Sequence, residues 1–284
     1  MGFYLKVLEI TSLYTIMVLS VYLMTGLTGL FSLGQGGFVS IGAYTAAIAY
    51  LRFHIPFPIT LLLAIVMGAV LGFLIGIPTL RLRRDYFLLV TFGFGEMVRA
   101  ALLHLAQVTG GALGMAGIPK LVGLPLILVS IVVITFITYN LKRSRFGRDC
   151  IAIRNDELAA ETMGINVYAQ KIKVFMMSSA ITAYGGALYA FVLMFIEPNL
   201  FDWLESAKLI IIVFVGGLNS LTGVIITSAI YYTFGEFFRF IDVWRDVLLA
   251  FVVLLTTIFR PIGIFGDWEL SLARIFSKRQ GNAP

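Results

Sequence analysis

With 284 residues, 60% of them hydrophobic and 13% charged, and a mean hydropathy of +0.97, the chain carries more apolar surface than a water-soluble globule of this size can bury. At about 20 residues per helical crossing, nine crossings would take roughly 180 residues, and the longest polar stretch, Lys142 to Lys173, is only loop-sized, so no nucleotide-binding, catalytic or sensing domain is expected within it. The net charge of +6, from 21 basic and 15 acidic residues, would suggest nucleic acid in a soluble protein. Here the bases sit between apolar runs and read as topology signals instead.

Apolar runs predict spans at Val7 to Leu30, Leu33 to Leu51, Ile59 to Pro78, Tyr86 to Ala106, Leu124 to Leu141, Val174 to Ile196, Lys208 to Leu218, Thr222 to Phe238 and Val247 to Phe259. The expected fold is an all-α polytopic membrane protein of about nine segments, within a range of eight to ten, forming a single transmembrane domain over residues 1–284. The first run follows one lysine and lacks a small-residue cleavage site, so it reads as a retained span. The seventh is too short to cross alone. The joints at Gly29 to Gly37 and Gly216 to Gly223 are rich in Gly, Ser and Thr, which predicts broken or re-entrant helices there.

Arg81, Arg83 and Arg84 fall in one loop, and Lys142, Arg143, Arg145, Arg148, Arg154, Lys171 and Lys173 in the long loop 142–173. Both are expected on the cytoplasmic side. The segment Glu197 to Ser206 has acids and no base, which fits the outer side. Counting spans from these loops puts the N-terminus outside and the C-terminus, with Arg274, Lys278 and Arg279, in the cytoplasm. A weak echo at an offset of 140 residues matches Ala43, Tyr44 and Ala47 to Ala183, Tyr184 and Ala187, and Glu96 and Arg99 to Glu236 and Arg239. Duplicated halves are common in transporters, and chance matches between apolar helices are common too.

The polar sequence SRFGRDCIAIRNDELAAETMGINVY, Ser144 to Tyr168, contains a short helix with readable ends. Asn155 can cap it, Asp156 and Glu157 favour its positive end, Leu158, Ala159 and Ala160 propagate it, and Gly164 can close it in the left-handed conformation. Glu161 and Met163 belong to the same segment. Such a helix either offers a surface to another protein or packs on its own bundle. Cys150, the only cysteine, lies beside it and excludes a disulfide framework.

Glu96 and Arg99 fall inside a span, where an isolated charge costs about 2.5–3.5 kcal/mol. Their spacing lets them pair on one helix face, either as a structural pair or lining a hydrated path. Thr28, Ser32, Gln35, Ser40 and Tyr44 stand among small residues in GLTGLFSLGQGGFVSIGAYTA, and Asn219 and Ser220 in VGGLNSLTG. Either group could line a pathway or serve helix packing. His54 and His104 are isolated and read as structural. No Walker A sequence, nucleophile elbow or His-Glu-x-x-His occurs, so no catalytic or metal site is expected, and any energy-coupling nucleotide site belongs to another chain.

These stretches, with LRLRRDYFLLVTFGFGEMVR (Leu80 to Arg99), VTGGALGMAGIP (Val108 to Pro119) and FRPIGIFG (Phe259 to Gly266), appear in the order and separations of a known family. Over most of its length the chain resembles LivM-type permease subunits of branched-chain amino acid ABC importers. Asn219 stands where a glycine is frequent, and Ala112 where a proline often follows Thr-Gly-Gly. The resemblance implies an ABC importer permease fold in a bacterial inner membrane. It also implies a second LivH-like permease, two cytoplasmic ABC ATPases that bind ATP and Mg, and a periplasmic substrate-binding protein. Related permeases carry urea, amides or other amino acids. In such transporters a cytoplasmic coupling helix docks on an ATPase, and the match puts it on Asn155 to Gly164.

Overall fold

The computed structural model describes residues 2–82 and 84–237, with scattered positions between 247 and 268. The chain is mostly helical in this part. The elements are α1 (Gly2–Thr28), α2 (Gln35–Leu51), α3 (Phe57–Thr79), α4 (Arg84–His104), the single turn α5 (Ala106–Thr109), α6 (Leu124–Arg143), α7 (Arg145–Asn155), α8 (Glu157–Thr162), α9 (Val167–Leu193), α10 (Trp203–Gly216) and α11 (Leu221–Phe237). Among the described residues, α1, α3, α4, α6 and α9 are long and apolar enough to cross a membrane. The first eight apolar runs fall on α1, α2, α3, α4, α6, α9, α10 and α11. The ninth, Val247 to Phe259, lies partly outside the described residues, and Arg239 and the basic tail lie wholly outside them.

Burial sorts these helices into a centre and a shell. From Leu13 to Leu27, α1 is buried on nearly every side, and α9 buries Ser178, Ser179, Thr182, Ala183 and everything from Gly185 to Val192. A helix apolar all round belongs inside. By contrast α3 buries one stripe, Thr60, Ala64, Gly68, Gly72 and Gly76, four residues apart and small throughout. That stripe lies on α9, where a methyl at Gly68 would come within 2.5 Å of the Ala183 side chain. Small residues at this spacing let helix backbones approach where lipid gives no hydrophobic drive. The other faces of α3 and α6 expose Leu62, Val66, Phe73, Val132 and Phe136.

The tightest packing is between α2 and α9. A methyl at Gly42 would sit 1.9 Å from Ala183 O, and one at Gly186 would sit 2.0 Å from Val39 O. Polar side chains pin the same centre. Thr182 Oγ1 donates to Gln35 Oε1 at 2.7 Å, Ser178 Oγ donates to the Ser20 carbonyl at 2.7 Å, and Gln35 Nε2 donates to Ser178 Oγ at 3.4 Å. With Ser20 and Thr182 hydroxyls 2.6 Å apart, α1, α2 and α9 form one hydrogen-bonded core.

Both Gly-rich joints break the helical path. Between α1 and α2, residues 29–34 are non-helical and mostly buried, with Gly29 at φ +66. Between α10 and α11 the chain turns at Gly217, φ +106. The 14 residues of α10 rise about 21 Å, short of the roughly 30 Å hydrocarbon core.

At the end of the bundle opposite α7 and α8, Met115–Ala116 (β1) pairs antiparallel with Phe195–Ile196 (β2), Met115 facing Ile196 and Ala116 facing Phe195. This clip ties the VTGGALGMAGIP loop to the chain leaving α9. A nearly all-apolar groove of about 640 Å³ runs between α3 and α6, floored by Ala180, Ile181 and Tyr184 of α9.

Candidate functional site

The long polar loop folds into two short helices. Ser144 caps α7, its Oγ accepting from Gly147 N at 3.2 Å, and Gly147 fits under the end of α6 because a methyl there would meet Leu141 O at 2.2 Å. Asp156, not Asn155, caps α8: Oδ1 accepts from Leu158 N at 2.9 Å and Ala159 N at 3.1 Å. Asn155 is the last residue of α7. The two residue types share the same capping chemistry, so composition alone could not separate neighbours.

Gly164 closes α8 at φ +80. Gly164 N donates to Glu161 O at 2.9 Å and Ile165 N to Ala160 O at 3.1 Å, the paired bonds of a Schellman ending.

The segment has an inner and an outer face. Ala160 packs with Ile153 and Val167 in a small apolar cluster beneath it. Glu157 turns inward and pairs with Lys171 of α9 at 2.5 Å. Outward lie Leu158, 75% exposed, and Met163, 82% exposed, with Asp156, Ala159 and Glu161 also exposed. Two large apolar side chains are thus exposed on a capped helix that is fixed to the bundle on its other side.

Beneath this segment the loop grips both broken joints. Arg154, at the end of α7, donates from Nη1 to Gly26 O at 2.5 Å and from Nη2 to Asn219 Oδ1 at 2.6 Å. Lys142 Nζ donates to Asn219 O. Asn219 thus serves the junction between loop and bundle. Ser220 Oγ accepts from Gly223 N at 2.9 Å and donates to Trp268 O.

The remaining pathway candidates are buried. Thr28 Oγ1 donates to Met24 O at 2.7 Å, Ser40 Oγ to Gly37 O at 2.8 Å, and Ser32 Oγ accepts from Gly34 N at 3.3 Å. Gln35 belongs to the polar core described above. Tyr44 differs, because its hydroxyl is buried without a hydrogen-bond partner among the described residues.

Glu96 and Arg99 do pair, at 3.1 Å, but both side chains are about a third exposed, 31% and 35%. The sequence places the Glu96 carboxylate inside a span, where burial is expected. Burial falls instead to Glu9 of α1, 8% exposed, whose carboxylate takes both its bonds from Lys120 Nζ, at 3.0 and 2.9 Å. An acid in the first apolar run with a lysine 111 residues on leaves no local pattern, so sequence spacing could not find the pair. In the loop, Cys150 is fully buried. Burial, with the nearby Asp149 carboxylate adding to it, pushes its thiol up to about 12.

Comparison with known proteins accounts for this architecture. The family described as the branched-chain amino acid transport system permease component matches residues 3–257. The chain is 33% identical to the high-affinity branched-chain amino acid transport system permease protein LivM of Escherichia coli K12, covering 90% of this chain and 68% of the relative. The Salmonella typhimurium protein of that name is also 33% identical, over 89% and 68%. A nucleoside ABC transporter permease, NupC of Lactococcus lactis, is 27% identical over 57% of this chain and 59% of its own length. No solved structure matches. The chain belongs to the branched-chain amino acid transport permease family.

Proposed function

We propose that this chain is the transmembrane permease subunit of an ATP-binding-cassette importer for leucine, isoleucine and valine. It is a non-catalytic, multi-pass protein of about nine segments in a bacterial inner membrane, N-terminus outside and C-terminus cytoplasmic. With a second, LivH-like permease it forms the translocation pathway. Two cytoplasmic ATPases hold ATP and Mg and supply the energy, and a periplasmic binding protein delivers the solute.

One observation carries the reading: the capped α7–α8 segment holds Leu158 and Met163 out in water while its other side is fixed to the bundle through Glu157, Ala160 and Arg154. Two apolar side chains exposed on one capped, anchored segment are what a partner's groove would cover. In the proposed mechanism an ATPase receives the Asn155 to Gly164 segment in a groove, and closure of the ATPases around ATP moves that segment. The bundle then tilts, and access alternates between the two sides. Tyr44 is the favoured contact with the passing solute.

The cargo is proposed from the LivM relatives, and the nucleoside permease among the relatives supplies the competing cargo. The test is uptake into proteoliposomes. Labelled leucine should accumulate only when this chain, its permease partner, the ATPases, the binding protein and ATP are all present. Uphill uptake by this chain alone under a proton or sodium gradient would replace the reading with an ion-driven carrier. ATP-driven uptake of a nucleoside but not leucine would change the cargo alone.

A further inference from the structure

We infer that Arg154 is a positioning residue through which the α7–α8 segment moves both broken joints together, an inference that rests on the importer reading above. At the end of α7 its side chain enters the bundle, where Nη1 donates to Gly26 O at 2.5 Å and to Leu218 O at 3.4 Å, and Nη2 donates to Asn219 Oδ1 at 2.6 Å. The first acceptor belongs to the last turn of α1, and the other two to the turn between α10 and α11. The joints also abut each other: a methyl at Gly26 would lie 3.1 Å from Leu218 O. Lys142, in the last turn of α6, holds the same turn through Asn219 O.

The residue type fits the geometry. Carbonyls at a helix C-terminus lack intrahelical partners and carry the negative end of the helix dipole. A guanidinium presents five donors in a planar fork, so one side chain can bind acceptors on two separate elements at once, whereas an ammonium acts as a single point. Both joints are non-helical backbone with a glycine in the left-handed region, so they can change angle without rupturing a helical ladder.

A displacement of α8 passes along α7, a helix of 11 residues, and arrives at the one place where α1 ends, α10 ends and α11 is about to begin. Of these helices, α1 carries Ser20 of the polar core, and α10 joins α2 next to Gln35 through Ser206 Oγ, which accepts from Gly36 N at 2.8 Å. The push is therefore delivered to two hinges from a single fork. A residue that merely capped stray carbonyls would need its charge alone.

The experiment uses the whole importer in proteoliposomes, reading labelled leucine moved per ATP hydrolysed for wild type, Arg154→Lys, Arg154→Met and Asn219→Leu. Arg154→Met and Arg154→Lys are expected to assemble and hydrolyse ATP while moving roughly tenfold less leucine per ATP, the scale of one lost charge-assisted bond. Asn219→Leu should lose less. Arg154→Lys combined with Asn219→Leu should do no worse than Arg154→Lys, because both cut the same link. Wild-type stoichiometry in Arg154→Lys, or additive losses in the double variant, would overturn the inference and leave a simple cap. Should Arg154→Met fail to assemble, Arg154→Lys and Asn219→Leu decide by the same ratio. If the wild-type assembly hydrolyses ATP without import, or never binds ATPases, the importer reading itself falls and takes this inference with it.

Discussion

Lys171 of α9 and Glu157 of α8 form an ion pair at 2.5 Å in which the ammonium is 7% exposed and the carboxylate 39%. The burial is asymmetric, so the two single substitutions are not equivalent. Glu157→Gln leaves a buried ammonium without its counter-charge, while Lys171→Met leaves a carboxylate that can still reach water. Glu157→Gln should destabilise the seating of α8 by about 1–3 kcal/mol, Lys171→Met by less, and the double variant should recover most of the loss. Protease sensitivity of the α7–α8 segment in detergent-purified protein checks the order. Equal losses in both single variants would show that the two charges are buried alike, and no loss in either would show that the pair is too solvated to matter.

Leu158 and Met163 should behave in the opposite way. Both are at least three-quarters exposed in the lone chain, so Leu158→Asp and Met163→Asp are expected to leave the melting temperature of the permease within about a degree or two, as surface substitutions do. Their effect should appear on assembly, as loss of most co-purified ATPase. Retention of the ATPase by the double aspartate variant would move the docking surface elsewhere.

How much of this was legible in the sequence depends on the range of each interaction. Helices such as α3 and α6 announce themselves through continuous apolar runs, and the joints at Gly29 and Gly217 through local clusters of small residues. The α8 segment was readable because caps are local, although its first residue was displaced by one, from Asn155 to Asp156. Contacts between distant parts of the chain were not readable. Nothing near Glu9 points to Lys120, nothing near Arg154 points to Gly26, and the spacing of Glu96 and Arg99 establishes a pair without saying whether it is buried. The face that a helix turns to its neighbours is set by backbone fit. At Gly42 and Gly186 that fit is measured in the space of one methyl group.

That fit gives a sharp prediction. Gly42→Ala and Gly186→Ala drive a methyl into the partner helix's backbone, at 1.9 and 2.0 Å, where no side chain can swing aside. Each should cost roughly 3 kcal/mol or more, beyond ordinary overpacking, and abolish assembled permease in the membrane fraction. Gly93→Ala is the control, because nothing lies within 4 Å of its added carbon, and it should express normally. Normal assembly of Gly186→Ala would mean that α2 and α9 lie further apart.

The buried acid is a second structural anchor. Glu9→Gln keeps the shape but removes the charge that holds Lys120, and should loosen the loop from Leu105 to Gly123 against α1. Glu96→Gln, which weakens a pair whose members are both about a third exposed, should cost less than Glu9→Gln in the isolated chain. The contrast can be read as thermal unfolding in detergent. A larger loss for Glu96→Gln than for Glu9→Gln would reverse the assignment of structural weight.

Cys150 supplies a prediction in pH. Burial, followed by the Asp149 carboxylate, raises its thiol to about 12 from an ordinary value of 9.0. The folded state therefore holds the proton more tightly than the unfolded one. The stabilisation is fully present below about pH 9 and is lost as pH rises from there towards 12. The thiolate is the nucleophile that adds to maleimide, so native protein at pH 7 should label at Cys150 far more slowly than a denatured control, from either side of the membrane. Topology is accordingly better tested on a Cys150→Ala background with Thr162→Cys, an exposed position on α8. That cysteine should react only with reagent on the cytoplasmic face. Labelling of Thr162→Cys from the periplasm alone would invert the proposed orientation, and rapid labelling of native Cys150 at pH 7 would show that α7 leaves the bundle.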